Sequence, residues 1–135
     1  MGLPGSGKTT LSDKIANLLN ASRVNADEVR KKYNDWDFSA KGRIRQANRM
    51  NDITKKKLKK NHVVADFICP TVELRKKFKA DYIIWMNTIT KGRYEDTNNI
   101  FEIPEKYEFN YEVKEKNADN IKLEIVNDIK SIFKI

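Results

Sequence analysis

An α/β fold in three layers, a parallel sheet covered by helices on both faces, is what this sequence predicts. Helix-patterned segments alternate with short apolar runs along the 135 residues, and parallel strands need such crossovers to return to the same end of a sheet. Two of the runs, "NHVVADFICP" and "DYIIWM", are nearly continuous in apolar side chains, as strands buried on both faces are. A glycine-rich turn opens the first helix, and open sheets of this kind bind ligands outside the carboxyl ends of their strands.

Gly2 to Thr9 read Gly-Leu-Pro-Gly-Ser-Gly-Lys-Thr and match the phosphate-loop pattern G-x-x-x-x-G-K-[ST] without a mismatch. From Gly7 onward Leu11, Ile15, Leu18 and Leu19 recur at helical spacing. Val24 centres a short strand that ends near Asp27, and a short helix with Val29 and Tyr33 follows. After the polar loop "NDWDFSAKGR", Ser39 caps a long helix from about Ala40 to Lys60. "NHVVADFICP" is the next strand, stopped by Pro70, and Thr71 caps a helix holding Val72, Leu74, Arg75 and Phe78. "DYIIWM" is a third strand, "NTITKGRYEDTNNIFEIPEKYE" a polar, mobile-looking segment and "YEFNYEV" a last strand. Ile121, Ile125, Ile129 and Ile132 mark a closing amphipathic helix capped by Asn117 or Asp119. No repeat or linker interrupts the chain, so residues 1–135 read as one domain.

A phosphate loop hangs from the end of a strand, yet only Met1 precedes this one. Two expectations follow. Either the sequence as given starts late by about six residues, a typical strand length, or a gap or substitute strand lies beside "HVVADFI" and "DYIIWM". An unreplaced strand should also leave the loop mobile or misshapen.

Charged residues make up 34% of the chain, above the usual quarter or so, and the formal net charge is +8. That balance favours nucleotides, nucleic acid or an anionic surface as partners, or else a solvated lysine coat. The lone Cys69 rules out an intrachain disulfide, and without a secretory segment it points to a reducing cytosol. His62 and Cys69 are single copies, which excludes His/Cys metal clusters. No run of 18 apolar residues provides a membrane span.

Chemistry concentrates in four places. In the phosphate loop, Gly2, Pro4, Gly5, Ser6, Gly7 and Thr10 surround Lys8 and Thr9. The glycines admit phosphate oxygens to backbone N–H groups, and the following helix presents its positive end. Lys8 suits the β- and γ-phosphates of ATP, and the Thr9 hydroxyl suits Mg²⁺. In "NADEVR", Asp27 can take a hydroxyl proton and Arg30, three residues on, can grip an anion, or the aspartate is only a helix cap. In "DFSAKGRIRQANR", Phe38 can stack on a base and Arg43, Arg45 and Arg49, with Asn48, can hold phosphate or sulfate, or the segment is a charged helix face. "DFICP" ends a strand with backbone groups free to read a ligand and Asp66 or Cys69 near the cleft, or is a plain buried strand with a core cysteine.

These groups resemble, in order and spacing, the adenylyl-sulfate kinase (APS kinase) family. "NADEVR" is similar to that family's Asp-Gly-Asp-x-x-Arg, "DFSAKGRIRQANR" to its Gly-Phe-Ser-x-x-Asp-Arg-x-x-Asn-(Ile)-Arg-Arg, and "DFICP" to its Phe-Ile-Ser-Pro. "KGRYEDTNNIFEIP" resembles its Lys-Gly-Leu-Tyr lid and later Tyr-Glu-Ala-Pro. The resemblance implies a phosphate-loop nucleotide-kinase fold with strand order 2-3-1-4-5, its first strand largely missing here. It implies ATP and Mg²⁺, and transfer to the 3′-hydroxyl of adenylyl sulfate or a similar acceptor. It gives Lys8 and Asp27 catalytic roles. Arg30, Phe38, Arg43, Asn48, Arg49, Ile68, Cys69, Pro70 and Lys91 would face the acceptor. Arg93 would stand in for lid cations that this short lid lacks. Asn25, Asp66 and Cys69 depart from the family pattern.

Two rivals stand beside this reading: a polynucleotide 5′-kinase, suited to the "KKKLKK" run at Lys55 to Lys60, and a nucleotide-binding remnant without turnover. The residues leave monomer and homodimer both open.

Overall fold

A computed structural model describes residues 1–135. The elements run α1 (Lys8–Leu19), β1 (Ser22–Asn25), α2 (Ala26–Tyr33), α3 (Ala40–Leu58), β2 (Val63–Asp66), α4 (Val72–Phe78), β3 (Ile84–Met86), α5 (Glu95–Ile100), a 3₁₀ turn (Lys106–Glu108), β4 (Tyr111–Val113) and α6 (Ala118–Phe133).

Local chemistry sets most of these boundaries. The Asn25 side chain accepts from the Glu28 N–H at 3.0 Å, so α2 starts directly after β1. Asp27 therefore sits in the first helical turn and not at the strand end. Ser39 caps α3 through the Gly42 N–H, and Thr71 caps α4 through the Leu74 N–H. Asn20 and Asn34 close α1 and α2 in the left-handed conformation that asparagine tolerates.

The strands form two parallel pairs, with the gap that a largely missing first strand leads one to expect. β1 lies on β2 with Val24 opposite Ala65, and β3 lies on β4 with Trp85 opposite Glu112. A gap separates the pairs, and Met1 and Gly2 span it. The Gly2 N–H donates to the Ile68 carbonyl at 3.3 Å, and the Met86 N–H donates to the Met1 carbonyl at 2.8 Å. This narrow bridge explains why "NHVVADFICP" is strand only to Asp66. Beyond it the backbone has no ladder partner except Gly2, and Cys69 turns into the left-handed region at φ 48°.

The phosphate loop is not misshapen. Its Ser6 N–H donates to the Leu3 carbonyl at 3.1 Å, and the Thr88 hydroxyl holds the Ser6 carbonyl at 2.6 Å. A Cβ on Gly2 would fall 2.8 Å from the Met86 carbonyl oxygen, so only glycine allows this approach. Gly7 caps α1 at φ 98°, again a glycine conformation.

Leu11, Ile15, Met86, Val113, Ile125 and Val126 form the main core between α1, the β3–β4 pair and α6. Smaller clusters join Val24, Val29 and Met50, and Ala47, Cys69 and Leu74. Leu18 and Ile132, expected inside, are exposed. The helices outrun the short strands beneath them: α6 has 16 residues and β3 has three.

The polar segment after β3 is also more ordered than its composition suggests. It holds α5, and the Arg75 guanidinium ties it to α4. That group donates to the carbonyls of Cys69, Pro70 and Glu102 and pairs with Glu108 at 3.3 Å. No helix is long and apolar enough to cross a membrane.

Candidate active site

A cavity of about 800 Å³ opens above the phosphate loop, between α2, α3 and the segment leading into α5. Pro4, Gly5, Gly7, Lys8, Thr9 and Thr10 form its floor. Gly2 and Ser6 shape the loop from behind without lining the cavity.

Lys8 Nζ donates to the Leu3 carbonyl at 3.0 Å, which leaves two of its three protons for other acceptors. Burial lowers its pKa, and the carboxylates of Asp66 and Asp27 oppose that shift. Thr9 Oγ1 donates to Asp66 Oδ2 at 2.8 Å and accepts from the Asn25 amide at 3.5 Å, which leaves one lone pair open to a cation. The same Asp66 oxygen receives the Asn25 amide at 2.8 Å and lies 3.4 Å from Ser12 Oγ. Asp66 is thus the buried hub of the loop and was absent from the expected ligand set. An aspartate closing an apolar strand was its one sequence signal.

The side of the cavity facing the loop carries Asp27, Arg30, Phe38 and Arg43. Asp27 is exposed there, with no hydrogen-bond or ion-pair partner. Arg30 is 5% exposed and donates to the carbonyls of Asp35 and Asp37. Arg43 is 8% exposed and donates to the Phe38 carbonyl and to Thr97 Oγ1. Neither arginine has a carboxylate partner, because Asp35 and Asp37 pair with Arg45 and Arg49 instead. Burial accordingly lowers both guanidinium pKa values. The Phe38 ring lies 4.2 Å from the Arg30 guanidinium and 5.4 Å from that of Arg43.

Asn48 and Arg49 do not reach this cavity. On α3 the inward stripe runs through Arg43, Gln46, Ala47 and Met50, at helical spacing. Asn48 falls off that stripe and is exposed. Arg49 is held by Asp35 at 2.6 Å and stacks on Tyr33. The amide that α3 brings to the cavity is Gln46. Its Nε2 donates to the Ala26 carbonyl at 2.9 Å, which identifies Oε1 as the free end, buried and without a partner. Trp36, Tyr94, Asp96, Thr97 and Lys116 also line the cavity and were not foreseen. Polar segments carry no periodicity that marks which residues face a cleft.

Ile68, Cys69 and Pro70 lie along the cavity wall as expected. Burial pushes the Cys69 thiol up to about 11. Arg93 is exposed at the rim without an ion pair, near enough to Lys8 to disfavour that residue's charge. Lys91 is exposed and outside the cavity. The lysines of the "KKKLKK" run lie outside it too.

Solved structures share this arrangement of elements. The Mycobacterium tuberculosis APS kinase, in complex with AMPPNP and APS, superposes with a TM-score of 0.76 at 17% identity, covering 96% of this chain and 94% of that one. A gluconokinase from Sinorhizobium meliloti 1021 gives 0.70 at 14% identity, covering 98% and 90%. Shikimate kinase from Acinetobacter baumannii, in complex with shikimate, gives 0.61 at 18% identity, covering 96% and 90%. At such identities the likeness shows the fold, an α/β phosphate-loop kinase fold. Among curated proteins none matches this chain. Residues 1–98 match the family model described as an AAA domain, and the chain belongs to that family.

Proposed function

We propose that this protein transfers the γ-phosphoryl group of ATP to a hydroxyl of a small anionic, nucleotide-like acceptor, with the 3′-hydroxyl of adenylyl sulfate as the leading case. One observation carries the reading. Arg30 and Arg43 are buried guanidiniums without carboxylate partners, set around an aromatic ring in the cavity that holds Lys8 and Asp27. Burying unpaired charge is costly, and an anionic acceptor would relieve the cost while Phe38 stacks on its base. The free Gln46 Oε1 supplies a hydrogen-bond acceptor beside it.

The donor side fits ATP. Lys8 offers two protons to phosphate oxygens, and the loop N–H groups surround them. Thr9 and Asp66 suit Mg²⁺ shared with phosphate oxygens, since that ion is usually held by one or two protein groups plus substrate phosphates. Bound there, the ion neutralises charge on the β- and γ-phosphates. Asp27 is free to accept the proton of the attacking hydroxyl. Arg93 faces Lys8 from the rim and can stabilise the transferring group in cis. Cys69 as the single cysteine suits a reducing cytosol.

A coupled kinase assay over adenylyl sulfate, shikimate, gluconate and a 5′-hydroxyl oligonucleotide tests this. Transfer to adenylyl sulfate should be abolished by Lys8→Ala and reduced about 10²- to 10⁴-fold by Asp27→Ala. Transfer only to the oligonucleotide, or to shikimate or gluconate alone, overturns the acceptor class.

A further inference from the structure

The short segment before α5 carries a contact that the expected site does not use. The Gly92 N–H donates to Asn98 Oδ1 at 2.8 Å, and Asn98 Nδ2 donates back to the Gly92 carbonyl at 3.0 Å. Both peptide groups of the turn are thereby held by one side chain. The turn is also pressed on the phosphate loop: a Cβ on Gly92 would lie 3.1 Å from both Cδ and the carbonyl oxygen of Pro4. The next residue is Arg93, which lines the same cavity as Lys8 and lies near enough to disfavour its charge. The residue before Asn98 is Thr97, which is 2% exposed and accepts from Arg43 Nη2 at 3.1 Å. One short helix thus touches the acceptor arginine with one residue and holds the Arg93 turn with the next.

We propose that Asn98 is a positioning residue: by clamping Gly92 against Pro4 it fixes Arg93 across the phosphate loop from Lys8, while Thr97 seats the same helix on Arg43. The proposal rests on the phosphotransfer reading above. Asn98 touches neither nucleotide nor acceptor, since it does not line the cavity. The proposal routes its effect through the neighbouring Arg93, and the double-mutant cycle separates that route from the contacts with Pro4 and Arg43. A preformed clamp also explains how a lid this short presents a cation without a long closing loop, because the turn is already docked on the loop it serves.

The test is a double-mutant cycle read by steady-state kinetics. Asn98→Ala should lower kcat by about tenfold to a hundredfold, the scale of a displaced catalytic group, with KM for ATP nearly unchanged. In an Arg93→Ala background the same substitution should cost nothing more. An equal loss in both backgrounds, or an unchanged kcat in Asn98→Ala alone, overturns the proposal. Should Asn98→Ala not fold, Asn98→Asp, which keeps the acceptor for the Gly92 N–H and sets a carboxylate oxygen against the Gly92 carbonyl, takes its place with the same criteria. Amide hydrogen exchange separates this proposal from the kinase reading. If the wild-type protein phosphorylates nothing in the panel, the kinase reading fails. The clamp is then decided by the Gly92 amide, which should exchange about fivefold to tenfold faster in Asn98→Ala. Unchanged exchange overturns the clamp.

Discussion

Exchanging Asn25 and Asp66 tests how the base of the phosphate loop is built. Asp66 is 4% exposed and Asn25 is 8% exposed, and their side chains meet at 2.8 Å. Asn25→Asp alone opposes two buried carboxylates. At an effective dielectric near 20 and about 4 Å the repulsion is about 4 kcal/mol. Asp66→Asn alone leaves an amide oxygen to receive the Asn25 amide and the Thr9 hydroxyl but removes the charge from both bonds, at a cost of about 2 kcal/mol. In the double exchange a carboxylate at position 25 still caps α2 and receives the amide now at 66, while the Thr9 hydroxyl loses its charged acceptor, so stability should stay about 1–2 kcal/mol below wild type, well short of the summed singles. For a chain of this size, about 4 °C of Tm corresponds to each kcal/mol. Thermal and urea unfolding of the four proteins at pH 8 and pH 5 give the coupling. The like charge in Asn25→Asp raises one carboxylate pKa in the folded state. That protein therefore gains stability relative to wild type as pH falls through the raised value. A double exchange that loses the sum of the two singles refutes the pairing. ATP affinity in the presence of Mg²⁺ should fall in Asp66→Asn and stay low in the double exchange if the carboxylate of Asp66 supports Thr9.

Four further outcomes are expected. Gly42→Ala should destabilise although alanine favours helices by up to about 1 kcal/mol, because its Cβ would fall 2.2 Å from the Asp37 carbonyl oxygen and overpacking costs about 1–3 kcal/mol; differential scanning calorimetry measures the net. Ile125→Ala empties a fully buried core position and should cost about 2–5 kcal/mol in urea unfolding. Cys69 should resist alkylation at pH 7.5, since its thiol is buried and titrates near 11; mass spectrometry after iodoacetamide, with and without denaturant, shows it. The guanidiniums of Arg45 and Arg49 hold the Asp35 carboxyl well below the usual range, so its contribution is complete above about pH 4 and fades as pH falls further; Asp35→Asn should flatten Tm against pH between 4 and 2.

The phosphate loop, the caps Ser39 and Thr71 and the alternation of helices with strands were legible in the sequence. Each is a local pattern in which a residue's neighbours within one turn decide its conformation. That Arg30, Phe38 and Arg43 belong near the strand ends was legible from residue types and element order, and more sharply through a family resemblance. That Asn48 and Arg49 lie outside the cavity was not legible at all, because it depends on which stripe of α3 packs inward. Arg75 shows the same limit: a basic residue on a short helix gives no sign that it will be buried under three carbonyls and an ion pair.

By itself, then, the sequence determined the phosphate-binding chemistry and the order of elements, since both depend on contacts a few residues apart. Tertiary structure alone decided that Asp66 meets Thr9 across 57 positions, that Met1 and Gly2 bridge the two strand pairs, and that Asn98 holds Gly92 on the phosphate loop. Those contacts arise between elements that only packing brings together, and a hydrogen bond is decided within a few tenths of an ångström, a precision that sequence spacing does not carry.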